Sequence, residues 1–240
     1  MSAETPSPLA VLVTGVTGSA GRAATRRFAA DGARVAVNGS NRERLDALIA
    51  ELGFPDGQLV PVQGDLVDAT AARAVVAAAE AALGRIDVVA HLVGGYAGGT
   101  ALVDMDPDEV RSMLDQHVWT TFNVLQAAVP GMLERGFGRV VAVTSATAAN
   151  PGPRAAAYAA AKSAEEALVR TLAREVASTG VTANLIAIRT LDDAKARAEQ
   201  PNAKTASWTT PEELADTIAW LASPAAAAVN GQRIALDGRA

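Results

Sequence analysis

The feature that most constrains the fold is a regular alternation of short apolar segments with longer segments of helical pattern. Several of the short segments are apolar throughout instead of alternating with polar residues, as expected for parallel strands that are buried on both faces. Strands are predicted at 9–14, 34–38, 59–63, 86–92, 139–144, 182–188 and 232–236, and helices near 19–31, 41–52, 68–83, 107–134, 155–178 and 211–222.

This alternation predicts an α/β fold with a single domain, a doubly wound parallel sheet of the Rossmann type. About seven strands with helices on both faces are expected. Residues 9–240 are assigned to this dinucleotide-binding and catalytic domain, and residues 1–8 to a disordered lead-in. The polar stretch 189–209 is expected over the carboxyl ends of the strands, where such sheets bind ligands.

Composition excludes several function classes. The chain has no cysteine, which rules out disulfides, thiolate metal sites and a cysteine nucleophile. Its two histidines are far apart in sequence, so no metal site is expected, and a net charge of −5 without a basic stripe argues against a nucleic-acid partner. No apolar run approaches the roughly 20 residues that cross a bilayer, and no basic segment precedes the first apolar run. A cytoplasmic protein without a membrane partner or signal peptide is therefore expected.

A glycine-rich loop, TGVTGSAG at 14–21, follows the first predicted strand and opens a helix. Glycine permits the tight turn and lets the backbone approach a pyrophosphate, and the helix N-terminus supplies N–H groups. The alternative is an ordinary turn between a strand and a helix. The dinucleotide interpretation assigns cofactor binding to Gly15, Thr17, Gly18, Ser19, Ala20 and Gly21.

A second motif, RAAAYAAAKSAEE at 154–166, places Tyr158 four residues before Lys162. With two tyrosines and three lysines in the chain, this spacing arises in roughly one shuffled sequence in forty. The unperturbed pKa of tyrosine is about 10. An ammonium one helical turn away lies on the same face and stabilises the phenolate, which lowers that pKa. The pair is therefore predicted to carry acid–base chemistry.

These motifs, together with Ser145 thirteen residues before Tyr158 and the closing VNGQRIALDG, resemble the short-chain dehydrogenase/reductase (SDR) family over residues 9–238. Classical members carry TGxxxGxG, whereas this loop reads TGxxGxxG, as in the extended members, with Ser19 in place of the middle glycine. The extended members' C-terminal substrate domain has no counterpart in this length. The chain is therefore identified as a classical-length member with degenerate Asn-Asn-Ala-Gly and Pro-Gly motifs.

The resemblance implies catalytic roles for four residues. Tyr158 is the general acid or base, Lys162 lowers its pKa and holds the nicotinamide ribose, and Ser145 polarises the carbonyl. His117 stands where the family has a helix asparagine that completes the catalytic tetrad. It either relays a proton, with a pH-sensitive pKa near 6.5, or fills the space.

The resemblance also implies further cofactor contacts. Asp65 and Leu66 would meet the adenine, although Asp65 could instead belong to the N-cap region of the next helix. Gly94 keeps the close backbone approach to the ribose. Where relatives have Pro-Gly after the sixth strand this chain has Ile188 and Arg189, and Thr190 is the residue assigned to the nicotinamide carboxamide.

The residues after the second strand favour NADP(H) over NAD(H). A carboxylate there would bond the ribose 2′-hydroxyl of NAD and repel a 2′-phosphate. This chain has Gly39 at that point, followed by Ser40 and Arg42, a hydroxyl and a guanidinium that suit a phosphate. Alternatively, Arg42 is a solvated residue in the first turn of the next helix.

The predicted function is an NADP(H)-dependent oxidoreductase that transfers a hydride between the cofactor and a small carbonyl or alcohol, in a homodimer or homotetramer. The alternative is a dinucleotide-binding SDR-like protein with little or no turnover, a sensor or structural partner. His117 and the altered segment at 188–189 motivate that alternative. A third hypothesis, epimerase or dehydratase chemistry on a nucleotide sugar, rests on the loop spacing alone.

Overall fold

The computed structural model describes residues 8–237, and within them seven parallel strands form one sheet in the order β3-β2-β1-β4-β5-β6-β7. The chain builds outward from β1 to β3 and then crosses back to β4, which pairs with the other edge of β1. Such a reversal leaves a crevice at the carboxyl ends of β1 and β4. The strands are β1 Ala10–Thr14, β2 Arg34–Gly39, β3 Leu59–Gln63, β4 Val88–His91, β5 Gly138–Ser145, β6 Val181–Ile188 and β7 Arg233–Leu236.

All the predicted helices are present. Two short helices, α6 and α8, were missed because four residues are too few to show a helical period. The predicted helix near 107–134 is divided by a wider π-helical turn at Asp115–Trp119. The helices are α1 Ser19–Ala30, α2 Arg42–Leu52, α3 Ala69–Leu83, α4 Pro107–Leu114, α5 Thr120–Arg135, α6 Ala146–Ala149, α7 Ala156–Glu175, α8 Ala196–Glu199 and α9 Pro211–Ala222.

The sheet separates two apolar cores, which is why its strands are apolar on both faces. Ala10 and Leu12 of β1 face the core formed with α3, α5 and α7. Val11 and Val13 of the same strand face the core formed with α1, α2 and α9. The predicted doubly wound sheet with helices on both faces is therefore confirmed. In the described residues, no helix is both long and apolar enough to span a membrane.

The polar stretch 189–209 follows β6, as predicted. Asp192 is buried, and its carboxylate accepts hydrogen bonds from the backbone N–H groups of Ala196 (2.7 Å) and Arg197 (3.0 Å) at the start of α8. The Arg197 guanidinium in turn bonds Glu213 of α9. The predicted lead-in at 1–8 lies almost entirely outside the described residues, and the single-domain assignment of 9–240 stays a prediction.

Candidate active site

The glycine-rich loop at 14–21 joins β1 to α1 and leaves the first turn of the helix open. Gly15 has a φ of +69°, and a Cβ atom there would lie 2.6 Å from the carbonyl oxygen of Leu92. A Cβ atom at Gly21 would collide with the carbonyl oxygen of Gly15. Gly18, the N-cap residue of α1, has no side chain, so the N–H groups of the first turn are not capped by it. This arrangement suits a pyrophosphate, because backbone and helix N-terminus are both accessible to an anion.

Two neighbouring cavities extend from this loop along the carboxyl edge of the sheet, one of about 400 Å³ toward β2 and β3 and one of about 430 Å³ toward α7. Both are lined by Gly15, Gly18 and residues 92–95. The structure brings together every predicted cofactor residue except Arg42 and Thr190. The first cavity adds Thr17, Ser40, Asp65 and Leu66, and the second adds Ser19, Ala20, Gly21, Tyr158 and Lys162.

The end of β2 forms the outer wall of the first cavity. Ser40 lines it, whereas the Arg42 guanidinium bonds Asp46 one turn along α2 at 2.9 Å and is half exposed. Asp65 accepts a hydrogen bond from the N–H of Val67 at 3.0 Å. The cap of α3 is a different residue, Asp68, so the N-cap alternative for Asp65 is wrong.

Tyr158 and Lys162 lie one turn apart on α7 and line the second cavity together. The half-buried Tyr158 ring is held edge-to-face between Tyr96 (5.1 Å between centroids) and His117 (5.5 Å). Ser145 is the last residue of β5. Its Oγ accepts a hydrogen bond from the N–H of Thr147 at 3.1 Å, which leaves the hydroxyl hydrogen able to donate elsewhere.

Lys162 is almost fully buried and makes two hydrogen bonds. Its ammonium donates to the carbonyl oxygen of Val143 at 2.8 Å and to the carboxylate of Glu165 at 2.7 Å. Glu165 was not predicted as a site residue, although its i,i+3 spacing from Lys162 is visible in the sequence. Burial raises the pKa of the Glu165 carboxyl group, and the charge of Lys162 opposes that rise.

His117 lies in the π-helical turn between α4 and α5. Its Nε2 is 2.9 Å from the carbonyl oxygen of Gly95, so Nε2 carries the hydrogen and donates it. Nδ1 has no partner among residues 8–237. Burial, and then the charge of Lys162, lowers the pKa of His117 to about 3. The expected pKa near 6.5 is therefore wrong, whereas the role of His117 as a proton relay or as a space-filling residue stays a prediction.

Several known proteins are similar to this chain over most of its length. Residues 15–238 match the family model described as enoyl-(acyl carrier protein) reductase. A 3-oxoacyl-[acyl-carrier-protein] reductase of Synechocystis sp. is 31% identical over 95% of this chain and 94% of its own length. The (2S)-[(R)-hydroxy(phenyl)methyl]succinyl-CoA dehydrogenase subunit BbsC of Thauera aromatica is also 31% identical, over 95% and 92%. The crystal structure of a short chain dehydrogenase from Bacillus anthracis superimposes with a TM-score of 0.84 at 28% identity, covering 95% of this chain and 94% of the other.

The chain belongs to the SDR family. It is accordingly an NAD(P)-dependent oxidoreductase, built on the seven-stranded parallel sheet described above.

One departure from the SDR pattern is His117, which lies against Gly94. A Cβ atom at Gly94 would collide with the imidazole of His117, and the φ of +142° also disfavours other residues. The histidine thus occupies the space beside Gly94, just beyond the end of β4. His91 is buried nearby, with Nδ1 3.0 Å from the Thr14 hydroxyl, and burial lowers its pKa to about 3.

A second departure from the SDR pattern lies after β6. Ile188, Leu191 and Asp193 line the second cavity, whereas the carbonyl oxygen of Thr190 accepts a hydrogen bond from the N–H of Thr209 at 3.0 Å. Thr190 is not among the lining residues, and its contact with the cofactor stays a prediction. The Asp193 carboxylate accepts a hydrogen bond from the Ser19 hydroxyl at the start of α1. The acidic loop therefore touches the helix end that suits a pyrophosphate.

Proposed function

We propose that this SDR protein is an NADP(H)-dependent reductase or dehydrogenase that acts on a small carbonyl or alcohol. The observation that carries the proposal is the convergence of Tyr158 and Lys162 on a cavity that also contains the open start of α1. Gly39 and Ser40 support the choice of NADP(H), because neither brings a carboxylate to the end of β2. A cytoplasmic location is part of the proposal, and a chain without cysteine is compatible with that reducing compartment.

The residues of the chain have distinct tasks in this reaction. When the nicotinamide is bound it supplies or accepts the hydride. Tyr158 donates its phenolic proton to the carbonyl oxygen, and the Lys162 ammonium stabilises the phenolate that remains. Ser145 donates its free hydroxyl hydrogen to the same oxygen, since Thr147 occupies one of its lone pairs.

The names of two relatives suggest substrates for a first assay. One is named for a 3-oxoacyl group on a carrier protein and another for a hydroxylated succinyl-CoA. We therefore propose that acyl thioesters with an oxo or hydroxyl group be tested first, followed by simple ketones and aldehydes.

The test is NADPH oxidation with this panel, compared between the native protein and Tyr158→Phe. The variant should lose activity by a factor of about 10² to 10⁴ while still binding NADPH by fluorescence titration. Binding without turnover that depends on Tyr158 would instead favour the sensor or structural alternative. His117 is the feature that supports that alternative, because it stands where the family has the asparagine that completes the catalytic tetrad.

We also propose a homodimer or homotetramer. A cavity of about 480 Å³ between α5 and α7 is open at the surface and is mainly apolar, and Phe122 at its edge is 38% exposed. A second copy packed on this face would bury these side chains. Light scattering should give a multiple of the monomer mass, and Phe122→Glu should lower it.

A further inference from the structure

The catalytic lysine has a buried acidic partner. Glu165 is fully buried, and its Oε2 lies 2.7 Å from Lys162 Nζ. Its Oε1 lies 3.2 Å from the hydroxyl of Thr121, which is also 2.6 Å from the carbonyl oxygen of His117. Glu165 therefore connects α7 to the helix that contains the π-helical turn.

The neighbouring acid, Glu166, belongs to a separate network. Its carboxylate accepts hydrogen bonds from Thr144 (3.0 Å), from Arg233 of β7 (2.8 Å) and from Arg170 (3.1 Å). Two arginines thus compensate Glu166, whereas Lys162 is the one cation paired with Glu165 in the described part of the chain.

Two histidines near Lys162 carry no charge near neutral pH, and the Asp193 carboxylate, which lines the same cavity as Lys162, bonds the Ser19 hydroxyl instead. His91 on β4 and His117 in the π-helical turn are both neutral, because burial holds the pKa of each near 3. The carboxylate of Glu165 is therefore the charge that most directly offsets the Lys162 ammonium.

A buried ion pair of this kind is weak evidence for a stabilising role, since well-packed apolar residues often serve stability equally well. Its geometry has a chemical consequence instead. An ammonium has three N–H donors, and Val143 and Glu165 take two of them. The third is left for the cavity that Lys162 shares with Tyr158.

We propose that Glu165 is a positioning residue for Lys162: it fixes the direction of the third N–H bond and offsets part of the ammonium charge, which sets the pH at which Tyr158 ionises. This inference rests on the acid–base role proposed for Tyr158. It is independent of which carbonyl compound is the substrate.

The chain allows a direct test, because it contains only two tyrosines. In a Tyr96→Phe background, the ultraviolet absorbance of tyrosinate reports Tyr158 alone, without substrate or cofactor. Glu165→Gln should lower the titration midpoint of Tyr158 by about one pH unit, since the ammonium is then no longer offset. The matched control Glu166→Gln, on the same helix and also buried, should give less than half that shift.

Glu165→Leu provides a second variant in case Glu165→Gln does not fold, and its expected shift has the same sign. A midpoint that stays unchanged or rises in either folded variant overturns the inference, as does an equal shift in Glu166→Gln. The pH profile of kcat should move with the titration. A titration shift in a protein without turnover would uphold Glu165 while contradicting the proposed function, so the two failures are distinguishable.

Discussion

The contact between Asp193 and Ser19 predicts that the native protein binds its dinucleotide more weakly than a variant without the Asp193 charge. Ser19 is the first residue of α1, and its hydroxyl donates to the Asp193 carboxylate. A pyrophosphate at this helix end carries two negative charges and would lie beside that carboxylate. Asp193→Asn removes the charge but keeps an amide oxygen that can accept the same hydrogen bond. The substitution therefore isolates the electrostatic part of the contact.

The magnitude follows from the charges and their separation. Two phosphate charges roughly 7 Å from one carboxylate, at an effective dielectric constant of about 40 to 80, give a repulsion of about 1 to 2.5 kcal/mol. Removing it should tighten NADPH binding about tenfold, since about 1.4 kcal/mol corresponds to a factor of ten in Kd.

Fluorescence titration with NADPH at low and high salt is the assay. The gain from Asp193→Asn should shrink as salt rises, because partly exposed charges are screened. Asp31→Asn, at the opposite end of α1, removes the same charge and should leave Kd unchanged. A Kd for Asp193→Asn equal to or weaker than that of the native protein would refute the reasoning, and would indicate that the carboxylate is itself a ligand of the bound cofactor.

Three further predictions concern stability and cofactor choice. Gly94→Ala should lower the free energy of unfolding by about 2 to 4 kcal/mol in urea, because the added methyl group meets His117 and the backbone becomes strained; a loss below about 1 kcal/mol would contradict this. The folded-state pKa of His91 is about 3 against an ordinary 6.5, so the unfolded state takes up the proton first as pH falls. Stability is then full above pH 6.5 and decreases toward pH 3, and His91→Gln should make that decrease shallower by about 1 kcal/mol per pH unit; an identical slope would be evidence against burial as the cause. For the Arg42 guanidinium to bind the 2′-phosphate of NADPH it must exchange its Asp46 partner. Arg42→Ala should then weaken NADPH binding about tenfold and leave NADH binding unchanged; equal effects on both would assign Arg42 to the helix surface.

The parts of the molecule that sequence predicted well are those with a local signal. The strands are apolar throughout because both faces of the sheet are covered, and that pattern is visible along the chain. Tyr158 and Lys162 could be paired because four residues make one helical turn. The capping box that Thr210 and Glu213 form at the start of α9 is an equally local feature.

The parts that sequence did not predict depend on burial or on distant contacts. Ser19 and Asp193 are 174 residues apart, and neither residue type signals such a contact. The low pKa of His117 results from burial and from the charge of Lys162, which residue type alone does not reveal. Glu165 is spaced for a surface ion pair with Lys162, and only the fold shows that both side chains are buried.

Arg233 has a consequence for how the protein is made. From β7 its guanidinium bonds both the Glu166 carboxylate (2.8 Å) and the carbonyl oxygen of Ser145 (3.0 Å), across 67 and 88 residues of sequence. During synthesis on the ribosome, the strand that ends at Ser145 emerges long before this arginine does. Contacts of such separation form late, because the closure of a long loop must come first. In the nascent chain, Ser145 at the end of β5 therefore lacks its contact with Arg233 until β7 pairs with β6. Activity is expected to appear when this last strand is in place and not gradually during synthesis.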